Sequence, residues 1–240
     1  MTLENKIAVV TGGSSGIGLA IVQDLVKEGY HVSFTGRNKE KLDSVRKELE
    51  KGHPGKINAY QVDINDIVQI KEMVEDIESN HGDIDVFVNN AGAYVSTNLD
   101  SDFSITKNLL EENIAVAQII DFLIKRNKSL EHEISIIQNV SQAGVGYFPG
   151  GQAYGTAKQM LRSYILNTEI QLSEEKVNNI KLFGIYPGVV NTPGVSDQIE
   201  SGTFSNPATP QDVSSLVLDM LNRNTKSNHA YVGNKGNGVV

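Results

Sequence analysis

Two apolar spacings alternate along almost the whole chain. Short β-branched runs at residues 6–10, 31–35, 57–62 and 85–88 read as strands, and each is followed by a helical stretch. After the first run, Leu19, Ala20, Val22, Leu25 and Val26 recur at helical spacing until Gly29. After the second comes a charged helix at 39–51. After the third, Ile67, Ile70, Met73, Val74 and Ile77 share one helix face. Strands alternating with helices over short connections predict a parallel sheet with helices on both faces.

The next helix, at 102–126, changes along its length. In its second half Ile114, Val116, Ile119, Ile120, Phe122, Leu123 and Ile124 are apolar nearly all round. Such a helix must be covered on two sides, by the sheet and by a second subunit, which predicts a homotetramer or homodimer. Ile134, Ile136, Ile137 and Val140 form a fifth strand leading to Ser141, a helix follows at 152–172, and a sixth strand at 180–186 runs into PGVVNT. A loop is expected at 193–207. Thr209 then caps a helix with Pro210 in its first turn and Asp212 near the capping-box position, and a strand at 229–232 closes the pattern. The fold class predicted is α/β, doubly wound, with a parallel seven-stranded sheet in three layers, as one domain over residues 1–240.

Composition narrows the setting. No apolar run in the 240 residues reaches the ~18 needed for a membrane helix, and the opening MTLENKIAVV has no leader-like apolar core. The absence of cysteine removes disulfides and thiolate chemistry, which makes a cytoplasmic address the expectation. A net charge of −8 argues against a nucleic-acid partner. His31, His53, His81, His132 and His229 lack metal-ligand spacing and read as surface residues.

Two stretches carry chemistry. The first is TGGSSGIG, placed between the first strand and the first helix. Gly12, Gly16 and Gly18 permit a tight turn and close backbone approach, and the helix N-terminus offers N–H groups to a pyrophosphate. The second is SQAGVGYFPGGQAYGTAK, from Ser141 to Lys158. On a helix, Tyr154 and Lys158 share a face. A phenol has a reference pKa of about 10, and a cation within about 4–6 Å lowers an acidic pKa by roughly 1–3 units, so Lys158 is expected to bring Tyr154 towards proton exchange with a substrate oxygen. Ser141 is placed to hold that oxygen.

The motifs TGGSSGIG, NNAG, the Ser141/Tyr154/Lys158 set and PGVVNT stand in an order and spacing that resemble the short-chain dehydrogenase/reductase family from about Ile7 to Thr192. The resemblance implies a Rossmann-like domain and a nicotinamide cofactor. Tyr154 would be the proton donor or base, Ser141 the carbonyl-oxygen ligand, and Lys158 both the tuner of Tyr154 and a ribose contact. Asn113 would hold a water of the proton relay. Gly12, Ser14, Ser15, Gly16, Ile17 and Gly18 would cradle the phosphates, and Asp63 with Ile64 would meet the adenine, although Asp63 could instead cap the next helix. Asn90, Ala91 and Gly92 would line the ribose side and tie strands together. Pro187, Gly188, Val190 and Thr192 would meet the nicotinamide. The tail after Tyr231 departs from the family's common ending.

Cofactor choice is read from the end of the second strand, where an NAD-selecting enzyme places an acid. Here Gly36 is followed by Arg37, whose planar fork suits a phosphate, with Ser14 and Ser15 adding hydroxyls. Arg37 could otherwise stack on adenine or stay solvated. NADP is expected ahead of NAD. Tyr94, Val95, Gln142, Tyr147, Phe148, Val189 and the loop after Pro193 are candidate substrate-lining residues, mostly apolar, which points to a neutral carbonyl or alcohol. The rival reading is a catalytically silent nucleotide-binding regulatory or scaffold protein; an epimerase or dehydratase is disfavoured by the lack of a longer C-terminal substrate domain.

Overall fold

The structure is a computed structural model that describes residues 6–233 and 238–239. The first five residues, part of the opening read as free of a leader, and most of the tail after Gly233 lie outside the described residues.

Seven parallel strands lie in the order β3-β2-β1-β4-β5-β6-β7: β1 (Ile7–Val10), β2 (His31–Gly36), β3 (Ile57–Gln61), β4 (Val86–Asn89), β5 (Ile134–Asn139), β6 (Ile180–Pro187) and β7 (His229–Val232). The two-residue strand β8 (Gly238–Val239) pairs antiparallel with β7 at one edge, an addition to the expected seven. Helices α1 (Gly16–Lys27), α2 (Lys39–Glu50), α3 (Ile67–His81), α4 (Phe103–Asn127), α5 (Gln152–Glu174), α6 (Ser196–Glu200) and α7 (Pro210–Leu221) complete the chain. The expected loop at 193–207 contains a 3-10 turn and α6.

The strands read as continuous apolar runs because both faces are covered. Their period of two divides them: Ile7, Val9, Ile134, Ile136, Ile180 and Leu182 join α3, α4 and α5 in one core, while Ala8, Val10, Ile137, Phe183 and Ile185 join α1 and α7 in the other. Burying such a side chain contributes roughly 1.5–3 kcal/mol. α7 begins as expected, with Thr209 and Asp212 forming a reciprocal capping box.

α4 is less uniformly apolar in its surroundings than its composition suggests. Val116, Ile119, Ile120 and Leu123 are buried and Phe122 and Ile124 partly so, while Ile114 is exposed. The histidine expectation fails at His229, which is buried on β7. Its neighbour across the ladder is Gly184, where a Cβ would come within 2.5 Å of the His229 Nδ1, so the missing side chain makes room for the imidazole. The ring lies 2.9 Å from the Tyr186 hydroxyl through Nδ1 and 2.5 Å from Glu169 Oε2 through Nε2.

The chain leaves β1 for β2 on one side of the sheet, and β4 takes its place on the other side of β1. This reversal opens a crevice beyond the carboxyl ends of β1 and β4, where ligands of open α/β sheets bind.

Candidate active site

A cleft of about 810 Å³ occupies that crevice. Its wall includes Gly12, Ser14, Ser15, Gly16 and Ile17 from the first turn, with Arg37, Asp63, Ile64, Asn90, Ala91 and Gly92. Further along stand Ser141, Tyr154, Lys158, Pro187, Gly188, Val190 and Thr192. The expected site residues therefore converge, with two exceptions.

Gly18 stands behind the wall. A Cβ there would come within 2.3 Å of the Gly12 carbonyl and 2.5 Å of Asn90 Nδ2, so it lets α1 press against the loop after β4. Asn113 is also behind the wall, buried, donating through Nδ2 to the Leu109 carbonyl at 2.8 Å, with its Oδ1 lacking a partner among the described residues.

The first turn fits a phosphate-bearing ligand. Ser15 caps α1 without a side-chain hydrogen bond, and no acid stands in the first helical turn. The first N–H groups of the helix are thus left for an anion. Across the cleft, Thr192 Cγ2 lies 3.1 Å from where a Cβ of Gly16 would stand, which brings the segment after β6 against this turn.

NNAG is tied down as expected. Thr11 Oγ1 accepts from the Asn90 and Ala91 N–H groups at 2.9 and 3.0 Å, Asn90 Nδ2 donates to the Thr11 carbonyl at 3.0 Å, and Asn139 Nδ2 donates to Asn90 Oδ1 at 3.0 Å. Asp63 does not cap α3; Asp66 does, accepting from Val68 and Gln69. The Asp63 carboxylate accepts instead from the backbone and side-chain nitrogens of Asn65, both at 3.0 Å.

Arg37 is exposed at the mouth and forms no ion pair among the described residues. Lys41 joins it on the wall. Sequence reasoning passed over Lys41, although its spacing of four from Arg37 across a helix start was a usable signal.

Ser141 follows β5 with φ 125° and ψ 152°, a backbone region that is essentially glycine's and that side chains occupy under strain, typically at functional sites. Burial pushes the Tyr154 phenol up to about 12, with Ser141 opposing the rise and Glu112 and Tyr94 adding to it. Burial pushes the Lys158 ammonium down to about 8, and Glu112 opposes that. The net result at Tyr154 is therefore a rise, not the expected lowering, because burial dominates. The ammonium stands 5.6 Å from the centre of the Tyr154 ring, and desolvation of the phenol outweighs it.

Tyr94, Gln142, Tyr147, Phe148 and Val189 line the cleft as expected, together with Pro193, Gly194 and Val195. Val95 does not; it packs against Leu109, Ala153 and Ala157. Phe204, from the loop expected to line the substrate end, edges onto Tyr94 with ring centroids 5.6 Å apart, and Tyr94 edges onto Tyr154 at 5.2 Å. Glu112 on α4 is a second unforeseen wall residue.

The family model described as short chain dehydrogenase matches residues 6–201. The chain belongs to the short-chain dehydrogenase family. Among relatives of this short-chain dehydrogenase, the 3-oxoacyl-(acyl-carrier-protein) reductase FabG of Thermotoga maritima is 34% identical over 209 residues, covering 80% of this chain and 77% of that protein. A solved structure of ElxO with NADP bound is 25% identical, with a TM-score of 0.82 over 95% of this chain and 96% of the other. A 3-oxoacyl-(acyl-carrier protein) reductase from Brucella melitensis in complex with NAD shares the fold at 23% identity and a TM-score of 0.77, covering 90% of each chain. The protein is an oxidoreductase-family chain with a nicotinamide-type cleft, and among its described residues no helix is long and apolar enough to cross a membrane.

Proposed function

We propose that this short-chain dehydrogenase is a single-domain, NADP(H)-dependent enzyme that interconverts a neutral, partly hydrophobic carbonyl compound and its alcohol. The observation that carries the reading is that Ser141, Tyr154 and Lys158 share one cleft with an uncapped, acid-free helix N-terminus.

When bound, the cofactor supplies or accepts the hydride. The chain's own residues handle the oxygen and its proton. Ser141 Oγ holds the carbonyl oxygen, and Tyr154, protonated at neutral pH, gives it the phenolic proton as negative charge develops. Lys158 contributes a cation beside the ring and the ribose donor. Asn113 holds a relay water through Oδ1, since its Nδ2 is committed to Leu109.

Arg37 and Lys41 on the cleft wall favour a cofactor with an extra phosphate, because cationic N–H donors suit a phosphate dianion. The substrate end of the cleft is lined by Tyr94, Tyr147, Phe148, Val189 and Phe204, with no cation beyond Lys158 among the described residues to hold a carboxylate, which supports a neutral substrate.

The test is NADPH oxidation, followed by absorbance, against a broad panel of ketones and aldehydes. Turnover of neutral carbonyls supports the reading. Inertness across the panel with cofactor still bound would replace it with a silent nucleotide-binding protein.

A further inference from the structure

We propose that Glu112 is a positioning residue for Lys158: its carboxylate, fixed beside Gly92 in the cleft wall, keeps the buried ammonium charged in the form that the active site uses.

The geometry comes from three elements. Glu112 Oε1 lies 3.2 Å, and Lys158 Nζ 3.6 Å, from the point where a Cβ on Gly92 would stand, so the two groups reach the same spot from α4 and α5. The backbone of Ala93, next to Gly92 in the loop after β4, acts to lower the Glu112 pKa, so the carboxyl stands beside that loop. Asn113, the next residue on α4, turns into the core, while Glu112 turns to the cleft.

Lys158 is almost fully buried, and among the described residues the charge that opposes its loss of hydration is that of Glu112. Burial alone drives an ammonium towards its neutral form, and a neighbouring anion holds it charged. Burial raises the Glu112 pKa, which Lys158, Arg37 and the Ala93 backbone counter, while Asp63 adds to the rise. The charged and titratable groups facing the pair are thus Arg37 after β2, Asp63 after β3, Tyr94 after β4, and Tyr154 on α5. Without the Glu112 charge, the Lys158 midpoint moves below its value of about 8, and the ammonium empties near neutral pH.

Glu112→Gln removes the charge and leaves the shape of the side chain nearly unchanged. This proposal rests on the reading of Lys158 as a working cation, but its first test needs no substrate. In the cofactor-free protein labelled with lysine ¹³Cε, the Lys158 signal, assigned by its loss in Lys158→Arg, is titrated by NMR. We expect the midpoint in Glu112→Gln to fall by about one pH unit relative to wild type; equal midpoints would overturn the proposal. Should Glu112→Gln not fold, the wild-type Glu112 carboxyl carbon decides. It must show an inflection at the Lys158 midpoint, and a curve without one overturns the proposal. On an active carbonyl, the alkaline limb of kcat/KM moves down by the same amount and returns in Glu112→Asp. A chain inert to every carbonyl would sink the functional reading and leave the NMR result standing; an unchanged midpoint sinks only the role of Glu112.

Discussion

The Lys158 ammonium nitrogen lies over the Tyr154 ring, 5.6 Å from its centroid. With the phenol pushed up to about 12, Tyr154 keeps its proton at pH 7, and Lys158, at about 8, is the one of the pair whose charge changes first on the alkaline side. Lys158 is protonated below its pKa and loses its charge as pH rises through it. We expect carbonyl reduction to be level below pH ~7 and kcat/KM to fall through an alkaline limb centred near 8. A limb starting only near 10 or above would assign the control to another group.

Tyr154→Phe should remove turnover and spare cofactor binding. The ring keeps its edge contact with Tyr94, and only the phenolic oxygen is deleted. Loss of a general acid costs roughly 10²–10⁴-fold. The check is kcat alongside the Kd for NADPH by fluorescence; retention of more than about a tenth of the activity contradicts the assignment.

Arg37→Ala should weaken the use of NADPH selectively. A hydrogen bond to a charged group is worth about 1.5–3 kcal/mol, or about ten- to a hundredfold in kcat/KM. NADH, without the extra phosphate, should change less than threefold by comparison, and Lys41→Ala should act in the same direction more weakly. An equal loss for both cofactors would place Arg37 on the adenine.

Gly18→Ala probes the contact between α1 and the loop after β4. The added Cβ would meet the Gly12 carbonyl and Asn90 Nδ2, both backed by rigid structure. Overpacking of this kind costs about 1–3 kcal/mol, and Tm falls by about 2–4 °C per kcal/mol in a chain of this size. Thermal unfolding followed by circular dichroism measures it, and an unchanged Tm would mean that the turn yields.

Exposed Phe103 and Ile114 on α4 and Ile170 on α5 leave apolar surface on the two paired helices. We expect sedimentation at micromolar concentration to give a dimer or tetramer, and Ile114→Glu to shift it towards monomer. A wild-type monomer would refute the expectation.

What the sequence determined by itself was local and periodic. The β-branched runs and helical repeats placed the strands and helices within a few residues, and the Thr209–Asp212 box needed only neighbours in the chain. The glycine turn and the pairing of Tyr154 with Lys158 were legible because their spacing is itself the signal. Tertiary structure decided what depends on burial and on partners far along the chain. It put His229 into the space that Gly184 leaves open, sent Asn113 into the core and Val95 away from the cleft, and brought Phe204 and Lys41 to its wall. It also set the balance at Tyr154, where burial raises the phenol. An i,i+4 spacing fixes which helix face two side chains share, but the balance between a neighbour's charge and lost hydration is set by everything packed around them. That is why Glu112, one position before an expected site residue, became visible only once the loop after β4 and helix α5 had closed around it.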